Sequence, residues 1–222
     1  MGKLHPQQRA ALDMVPADRP ILLLIRHSLR EDANNLMPGF AVPLTAEGVT
    51  MARQWGSEIR WGIQAVHSSQ WPRCVDTAEA MIVGAGVHGS VQIEDKLCEP
   101  GCYVTEMKLA GPTFAKLGPI EFISRLLQSE HLSGTNTTRK GSAHLISWLR
   151  NRQPEPGRIN LFVTHDTILA GLVYELLGKQ RLSREDWPWM LEGVFLWFDT
   201  ESIHWVWRGE SGERYLADYE RA

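Results

Sequence analysis

Long apolar runs are missing from this 222-residue chain: none approaches the roughly 20 residues that cross a bilayer, so no membrane-spanning role is expected. Cysteine is scarce. The three present, Cys74, Cys98 and Cys102, are an odd count that fits reduced thiols better than a disulfide framework. Cys98 and Cys102 have no second pair and no histidine cluster beside them, so no metal or other cofactor is expected. Strong charge of either sign is also lacking: the net charge of −3 gives no reason to expect nucleic acid or an anionic membrane as partner. The first residues, Met1 to Arg9, lack the apolar stretch of a secretory signal, which makes a cytoplasmic location the expectation. No internal repeat or low-complexity segment is visible.

What is present reads as an α/β protein. The length suits one large domain spanning 1–222, and a hydrophobic content of 43% is enough for a globular core. The run Ile21-Leu22-Leu23-Leu24-Ile25, bounded by Pro20, reads as a parallel strand covered on both faces, and it ends in Arg26-His27-Ser28-Leu29-Arg30. A second run, Arg158 to Val163, ends in Thr164-His165-Asp166 before the helical pattern Ile168 to Leu177. Between them, Gln64 to His67 leads into Ser68-Ser69-Gln70-Trp71-Pro72-Arg73 and a helix to about Val83, with proline where a missing N–H is harmless. Ligands of open α/β sheets bind beyond the carboxyl ends of the strands. A doubly wound sheet would therefore bring Arg26, His27, Arg73 and His165 into one pocket.

The remaining organisation follows from local signals. A short helix is expected at Gln7 to Met14, and a polar loop at Glu31 to Pro43 is placed to shape access. Thr45 is a plausible N-cap for a helix carrying Ala52, Trp55, Gly56 and Ile59. Val91 to Ile93 reads as a short strand. The Gly- and Pro-rich stretch 98–120 has little periodicity and reads as a lid or insertion, extending with its flanks over about 98–140, with helices near 119–130 and 137–152. Val194 to Phe198 and Ile203 to Trp207 flank Asp199-Thr200-Glu201-Ser202 as an antiparallel edge hairpin. Five of the nine tryptophans fall after residue 185, and the Trp187-Pro188-Trp189 cluster reads as packing beneath that hairpin. The expected architecture is a three-layer α/β/α fold with a central, mostly parallel sheet and an antiparallel C-terminal edge hairpin.

A phosphate monoester suits such a pocket. Arg26 and Arg73 can clamp its peripheral oxygens with forked guanidinium groups. A neutral imidazole among them can attack phosphorus in line and form a phosphohistidine, and neighbouring cations keep that imidazole neutral. The other histidine would hydrogen-bond the transferring group as charge develops. Arginines and histidines supply the positive charge, so the chemistry asks for no metal. An acid must protonate the leaving alkoxide, and Glu99 and Asp166 are the candidates.

These residues resemble the histidine phosphatase superfamily, which includes cofactor-dependent phosphoglycerate mutases and histidine acid phosphatases. Its Arg-His-Gly signature is similar to Arg26-His27-Ser28. Its Leu-Thr-x-x-Gly-x-x-x-Ala helix opening is matched by Leu44, Thr45, Gly48 and Ala52. Its Ser-Ser-x-x-x-Arg-x-x-x-Thr-Ala segment is matched by Ser68, Ser69, Arg73, Thr77 and Ala78, and its second histidine by His165. The resemblance covers roughly residues 20 to 175. It implies that His27 is the phosphorylated nucleophile and that Arg26, Arg73 and His165 complete the phosphate pocket. The proton donor is implied to be Glu99 by one branch (Leu97-Cys98-Glu99) and Asp166 by the other (His165-Asp166), Glu99 being preferred. Arg30 resembles an additional phosphate-binding arginine, its alternative being a solvated loop residue. Asp166 could instead cap its helix, and His67 reads as structural. Ser28 departs from the glycine of the signature, adds a hydroxyl near the pocket, and would be strained by about 1 kcal/mol if its backbone needed positive φ. The expected function is metal-independent hydrolysis of a small phosphorylated metabolite. Mutase-like phosphotransfer, phosphoprotein phosphatase activity and non-catalytic phosphate binding are the alternatives.

Overall fold

The computed structural model describes residues 4–31 and 39–220. Most of the expected access loop at Glu31 to Pro43 therefore lies outside the described residues. The strand Ile21–Arg26 (β1) is buried along its whole length, yet its side chains divide between two cores. Leu22 and Leu24 join Phe162, Leu169, Leu145 and Ile123 on one face, while Ile21, Leu23 and Ile25 join Trp55, Ala78, Met81 and Leu161 on the other. A strand whose two faces are both covered has no polar positions to alternate with, which is why β1 reads as a continuous apolar run. Each of these aliphatic side chains contributes roughly 1.5–3 kcal/mol on burial.

In chain order the helices and strands are α1 (Pro6–Met14), β1, α2 (Ala46–Glu58), β2 (Gly62–Ser68), α3 (Pro72–Gly84), β3 (Val91–Ile93), α4 (Met107–Leu127), α5 (Thr138–Arg150), β4 (Arg158–Thr164), α6 (Asp166–Leu177), β5 (Gly193–Phe198), β6 (Ser202–Trp207), β7 (Glu210–Tyr215) and α7 (Ala217–Glu220). The seven strands run β3-β2-β4-β1-β5-β6-β7 across one sheet. β3, β2, β4 and β1 pair in parallel, whereas β1–β5, β5–β6 and β6–β7 are antiparallel. Helices cover both faces, so the α/β/α architecture and the mostly parallel centre are as expected. Because β1 and β4 are neighbours and β2 flanks β4, the residues that follow these three strands leave the sheet side by side.

Two expectations are corrected. The C-terminal hairpin β5–β6 is not the edge: β7 adds a third antiparallel strand beyond it. Its sequence, Glu-Ser-Gly-Glu-Arg-Tyr, has no apolar alternation because it is mostly exposed, and Gly212 is required where Trp205 lies across it, 2.3 Å from where a Cβ would stand. The stretch 98–120 is not irregular throughout, since α4 begins at Met107 and continues past Pro112 to a break at Gly118, whose φ of 72° interrupts the helical backbone before Pro119. Burial of Ala110 and the edge contact of Phe114 with Phe122, ring centroids 5.2 Å apart, outweigh the hydrogen bond lost at Pro112. Among the described residues no helix is long and apolar enough to cross a membrane.

Helices α2 and α3 approach through glycines. A Cβ on Gly56 would stand 2.2 Å from the Met81 carbonyl oxygen, and one on Gly84 would stand 1.8 Å from that of Arg53. Neither neighbour is a side chain that can rotate away. Gly56→Ala is therefore expected to lower stability by about 1–3 kcal/mol despite its better helix propensity. Urea unfolding measures this, and unchanged or increased stability would contradict the close packing.

Candidate active site

The loop after β1 is fastened before any side chain enters the site. The His27 N–H donates to the Thr164 carbonyl at the end of β4, 2.9 Å away. The Ser28 N–H donates to Thr77 Oγ1 of α3 at 2.9 Å, and the Thr77 hydroxyl donates in turn to the Arg73 carbonyl at 2.7 Å. On the other side, Thr45 accepts the Gly48 N–H as N-cap of α2, while the Thr45 N–H reaches the Leu29 carbonyl at 3.0 Å. Gly48 is a close-approach position, since a Cβ there would stand 2.0 Å from the Leu29 oxygen. The Thr45, Gly48 and Thr77 motif positions thus act on one object, the backbone that presents Arg26 and His27.

Ser28 is buried, and its hydroxyl donates to the Gly48 carbonyl at 2.7 Å. It is not among the residues with positive φ, so the strain considered for serine in place of glycine does not arise. The hydroxyl expected near the pocket is spent on holding α2 against the loop.

Arg26, His27, Arg73 and His165 are all buried and converge. Arg73 Nη2 lies 3.3 Å from His165 Nδ1, and the His27 and His165 rings are 5.8 Å apart at 69°. Arg26 Nη2 pairs with Asp166 Oδ2 at 2.6 Å, and its Nη1 donates to the Pro188 carbonyl at 2.5 Å. Arg73 Nη1 donates to the Gly39 carbonyl at 2.9 Å, with its guanidinium 4.3 Å from the Trp71 ring centroid. Among the described residues, Arg26 Nε and Arg73 Nε are buried and have no hydrogen-bond partner. Buried donors of this kind are rare and call for an acceptor. Arg30 is partly buried, with Nη1 on the Glu31 carbonyl, and its charge acts on both Arg26 and Arg73.

Both imidazoles are held neutral. Burial, and then the charge of Arg26, push the His27 pKa well below the usual imidazole range. Its Nδ1 faces the Ser28 carbonyl at 2.8 Å, which places the proton on Nδ1 and leaves the lone pair on Nε2. Burial, reinforced by Arg73 and Arg26, pushes His165 down to about 3. Its Nε2 lies 2.9 Å from Ser69 Oγ, which itself donates to Cys98 Sγ at 3.3 Å, so Nε2 carries the proton and Nδ1 accepts from Arg73. Contact between His165 Nδ1 and an anion thus requires that Arg73 be drawn off first.

The two carboxylates sit in different surroundings. Asp166, the first residue of α6, accepts from Arg26 and from Trp187 Nε1 at 3.2 Å on one oxygen, and from the Thr167 N–H at 2.9 Å on the other. Glu99 accepts the Thr167 hydroxyl at 2.9 Å, and burial, followed by the nearby charge of Asp166, raises its pKa. One carboxylate is committed to a cation and the other is biased towards holding a proton.

Several site residues carried no signal in sequence. Ser69 was visible only as a motif position, with no role attached. Trp71 lies beneath the Arg73 guanidinium and meets the His165 ring edge-on, centroids 4.6 Å apart at 68°. Trp187 packs against the core as expected but also donates to Asp166, and the neighbouring Pro188 carbonyl accepts from Arg26. Their loop is fixed by the buried Glu192–Arg208 pair at 2.7 Å, with Arg208 also donating to the Trp187 carbonyl. His67 lies apart from the site, stacked on Phe162 at 4.8 Å and facing Glu94.

A family model for the histidine phosphatase superfamily (branch 1) matches residues 22–195. No curated protein matches the chain. Among solved structures it is similar to a phosphoserine phosphatase mutant from Entamoeba histolytica (18% identity, 89% of this chain and 97% of that one, TM-score 0.57). It is also similar to a mycobacterial glucosyl-3-phosphoglycerate phosphatase (21%, 86% and 99%, 0.55). A third is a phosphoglycerate mutase from Bacillus anthracis (16%, 92% and 98%, 0.55). At these identities the likeness establishes the fold.

Removing the Asp166 charge leaves Arg26 buried without its counter-ion. Asp166→Asn is expected to lower stability by about 3 kcal/mol, since breaking a buried pair strands the remaining charge. Inorganic phosphate should restore more stability to this variant than it adds to the wild type, because the anion takes the place of the carboxylate. Thermal unfolding with and without phosphate tests both statements, and equal phosphate effects on the two proteins would contradict them.

Proposed function

The chain belongs to the histidine phosphatase superfamily, and from that membership we propose that it hydrolyses phosphomonoesters through a phosphohistidine at His27, without a metal. The observation that carries this reading is the pair of buried arginines with unpartnered Nε–H donors beside a neutral imidazole. Arg26 and Arg73 bind the peripheral phosphoryl oxygens, with Arg30 adding charge. The lone pair on His27 Nε2 attacks phosphorus, the ester P–O bond breaks, and the proton of Glu99 passes to the departing alkoxide. As the phosphoryl group draws the Arg73 guanidinium towards itself, His165 Nδ1 is freed to take a proton from the monoanionic ester or from water, and the added negative charge favours that protonated, donating form. Glu99, now ionised, takes a proton from water, which attacks phosphorus and releases inorganic phosphate and neutral His27.

Asp166 positions Arg26 in this scheme, because each of its oxygens already accepts a hydrogen bond. Glu99 is the donor, because burial favours its protonated form. Membership of the family fits a phosphatase or a phosphotransferase; water as the final acceptor is the present reading.

Turnover of an aryl phosphate should persist in the presence of a chelator and fall by roughly three orders of magnitude or more in His27→Ala. Glu99→Gln should lower kcat/KM for an alkyl phosphate by roughly 10²–10⁴-fold and that for p-nitrophenyl phosphate far less, because p-nitrophenolate departs without a proton, whereas kcat falls for both since Glu99 also activates the water. The pH dependence follows in sign. Activity is lost on acidification as His27 protonates through its depressed pKa. It is lost on the alkaline side as Glu99 ionises through its raised pKa, and only for the alkyl ester does that limb matter. An equal loss of kcat/KM for both esters in Glu99→Gln would exclude Glu99 as the acid.

A further inference from the structure

Beside the anion pocket lies a cleft of about 140 Å³ that shares Trp71, Glu99 and Thr167 with the site. Its other walls are apolar: Tyr103, Met107, Phe114, Phe122 and Ile123 among them. Among the described residues, no lysine, arginine or histidine lines it. Tyr103 adds no free hydroxyl, since its oxygen is 3.1 Å from Ser142 Oγ. The Tyr103 ring is seated over Gly141 and Gly171, where Cβ atoms would stand 2.4 and 2.6 Å from it. The break at Gly118 folds the two halves of α4 so that Phe114 from the first meets Phe122 from the second, and both face the cleft. Met107, over half exposed, also lines it.

We propose that the alcohol portion of the substrate is apolar and uncharged, so that the protein acts on phosphomonoesters of hydrophobic alcohols. This rests on the hydrolase reading and names the substrate class for the same site. A second anionic group on the substrate, such as the carboxylate of 3-phosphoglycerate or phosphoserine, would be desolvated against Met107 and Phe114 beside Glu99, with no cation among the described residues lining the cleft to pair with it. An alkyl or aryl portion instead removes apolar surface from water on both partners.

The test is an n-alkyl phosphate series from ethyl to hexyl, whose leaving alcohols have nearly equal acidity, with 3-phosphoglycerate as the charged comparison. The expected kcat/KM rises about fourfold per buried methylene, on the order of 10² over the series. 3-Phosphoglycerate should fall below hexyl phosphate. Binding of the corresponding n-alkylphosphonates, which cannot turn over, is measured in parallel and should strengthen by a similar factor. Met107→Lys, at an exposed position that does not endanger folding, should flatten the series and narrow the gap to 3-phosphoglycerate. Phe114→Ala should flatten it as well. Turnover with no dependence on chain length, or with 3-phosphoglycerate preferred, would overturn the apolar-alcohol assignment while leaving the hydrolase reading intact. Phosphonate binding that strengthens with length, with no ester hydrolysed, would support the cleft assignment and sink the hydrolase reading. Phosphonates that bind without length dependence, or not at all, would overturn the cleft assignment.

Discussion

Two guanidinium groups held out of water at the carboxyl edge of one parallel sheet set the terms for everything around them. A buried cation must be answered by hydrogen bonds and by negative charge. Arg26 is answered by Asp166 and the Pro188 carbonyl, and Arg73 by the Gly39 carbonyl and the His165 lone pair. Each still has an Nε–H donor without an acceptor among the described residues. The same positive charge, together with burial, keeps both imidazoles unprotonated. A site that is cationic yet contains neutral histidines can attract a phosphoryl dianion and still attack it.

Sheet order explains how residues far apart in sequence share this environment. The chain leaves β1, passes through β2, and returns at β4 between them, so the ends of β1 and β4 are adjacent and the Ser69 to Arg73 segment follows from the next strand along. Rigid connections then fix the details. Thr77 joins α3 to the Ser28 backbone, the Ser28 hydroxyl joins that loop to α2, and Ser69 links His165 to Cys98. This edge of the sheet is therefore held by hydrogen bonds from α2, α3 and the Ser69–Cys98 link, not by the strand ends alone.

Much of this was legible in the chain because the relevant signals are local. Strand β1 announces itself as an unbroken apolar run and β4 as one interrupted only by Asn160, since both faces are covered, and the motif residues Thr45, Gly48 and Thr77 all clamp the loop after β1. What stayed hidden depends on contacts between distant segments. Strand β7 is polar and gains its place from backbone pairing with β6, not from apolar alternation. The first half of α4 is masked by Gly111, Pro112 and Gly118, and exists because Ala110 and Phe114 find a core. Trp187 and Pro188 serve Asp166 and Arg26 across more than 20 and 160 positions respectively, which no local pattern encodes. The contrast between Glu99 and Asp166 is likewise invisible in sequence, since it comes from the burial of Glu99 and from the pairing of Arg26 with Asp166.

The central claim is that a covalent bond forms between phosphorus and His27. Its most direct test is rapid mixing with an aryl phosphate, followed by an alkaline quench, under which phosphohistidine survives, and peptide mapping by mass spectrometry. A phosphoryl group on the His27 peptide, appearing and decaying at rates compatible with turnover, is the predicted result. Efficient hydrolysis with no such adduct, or with the phosphoryl group on a different residue, would contradict it.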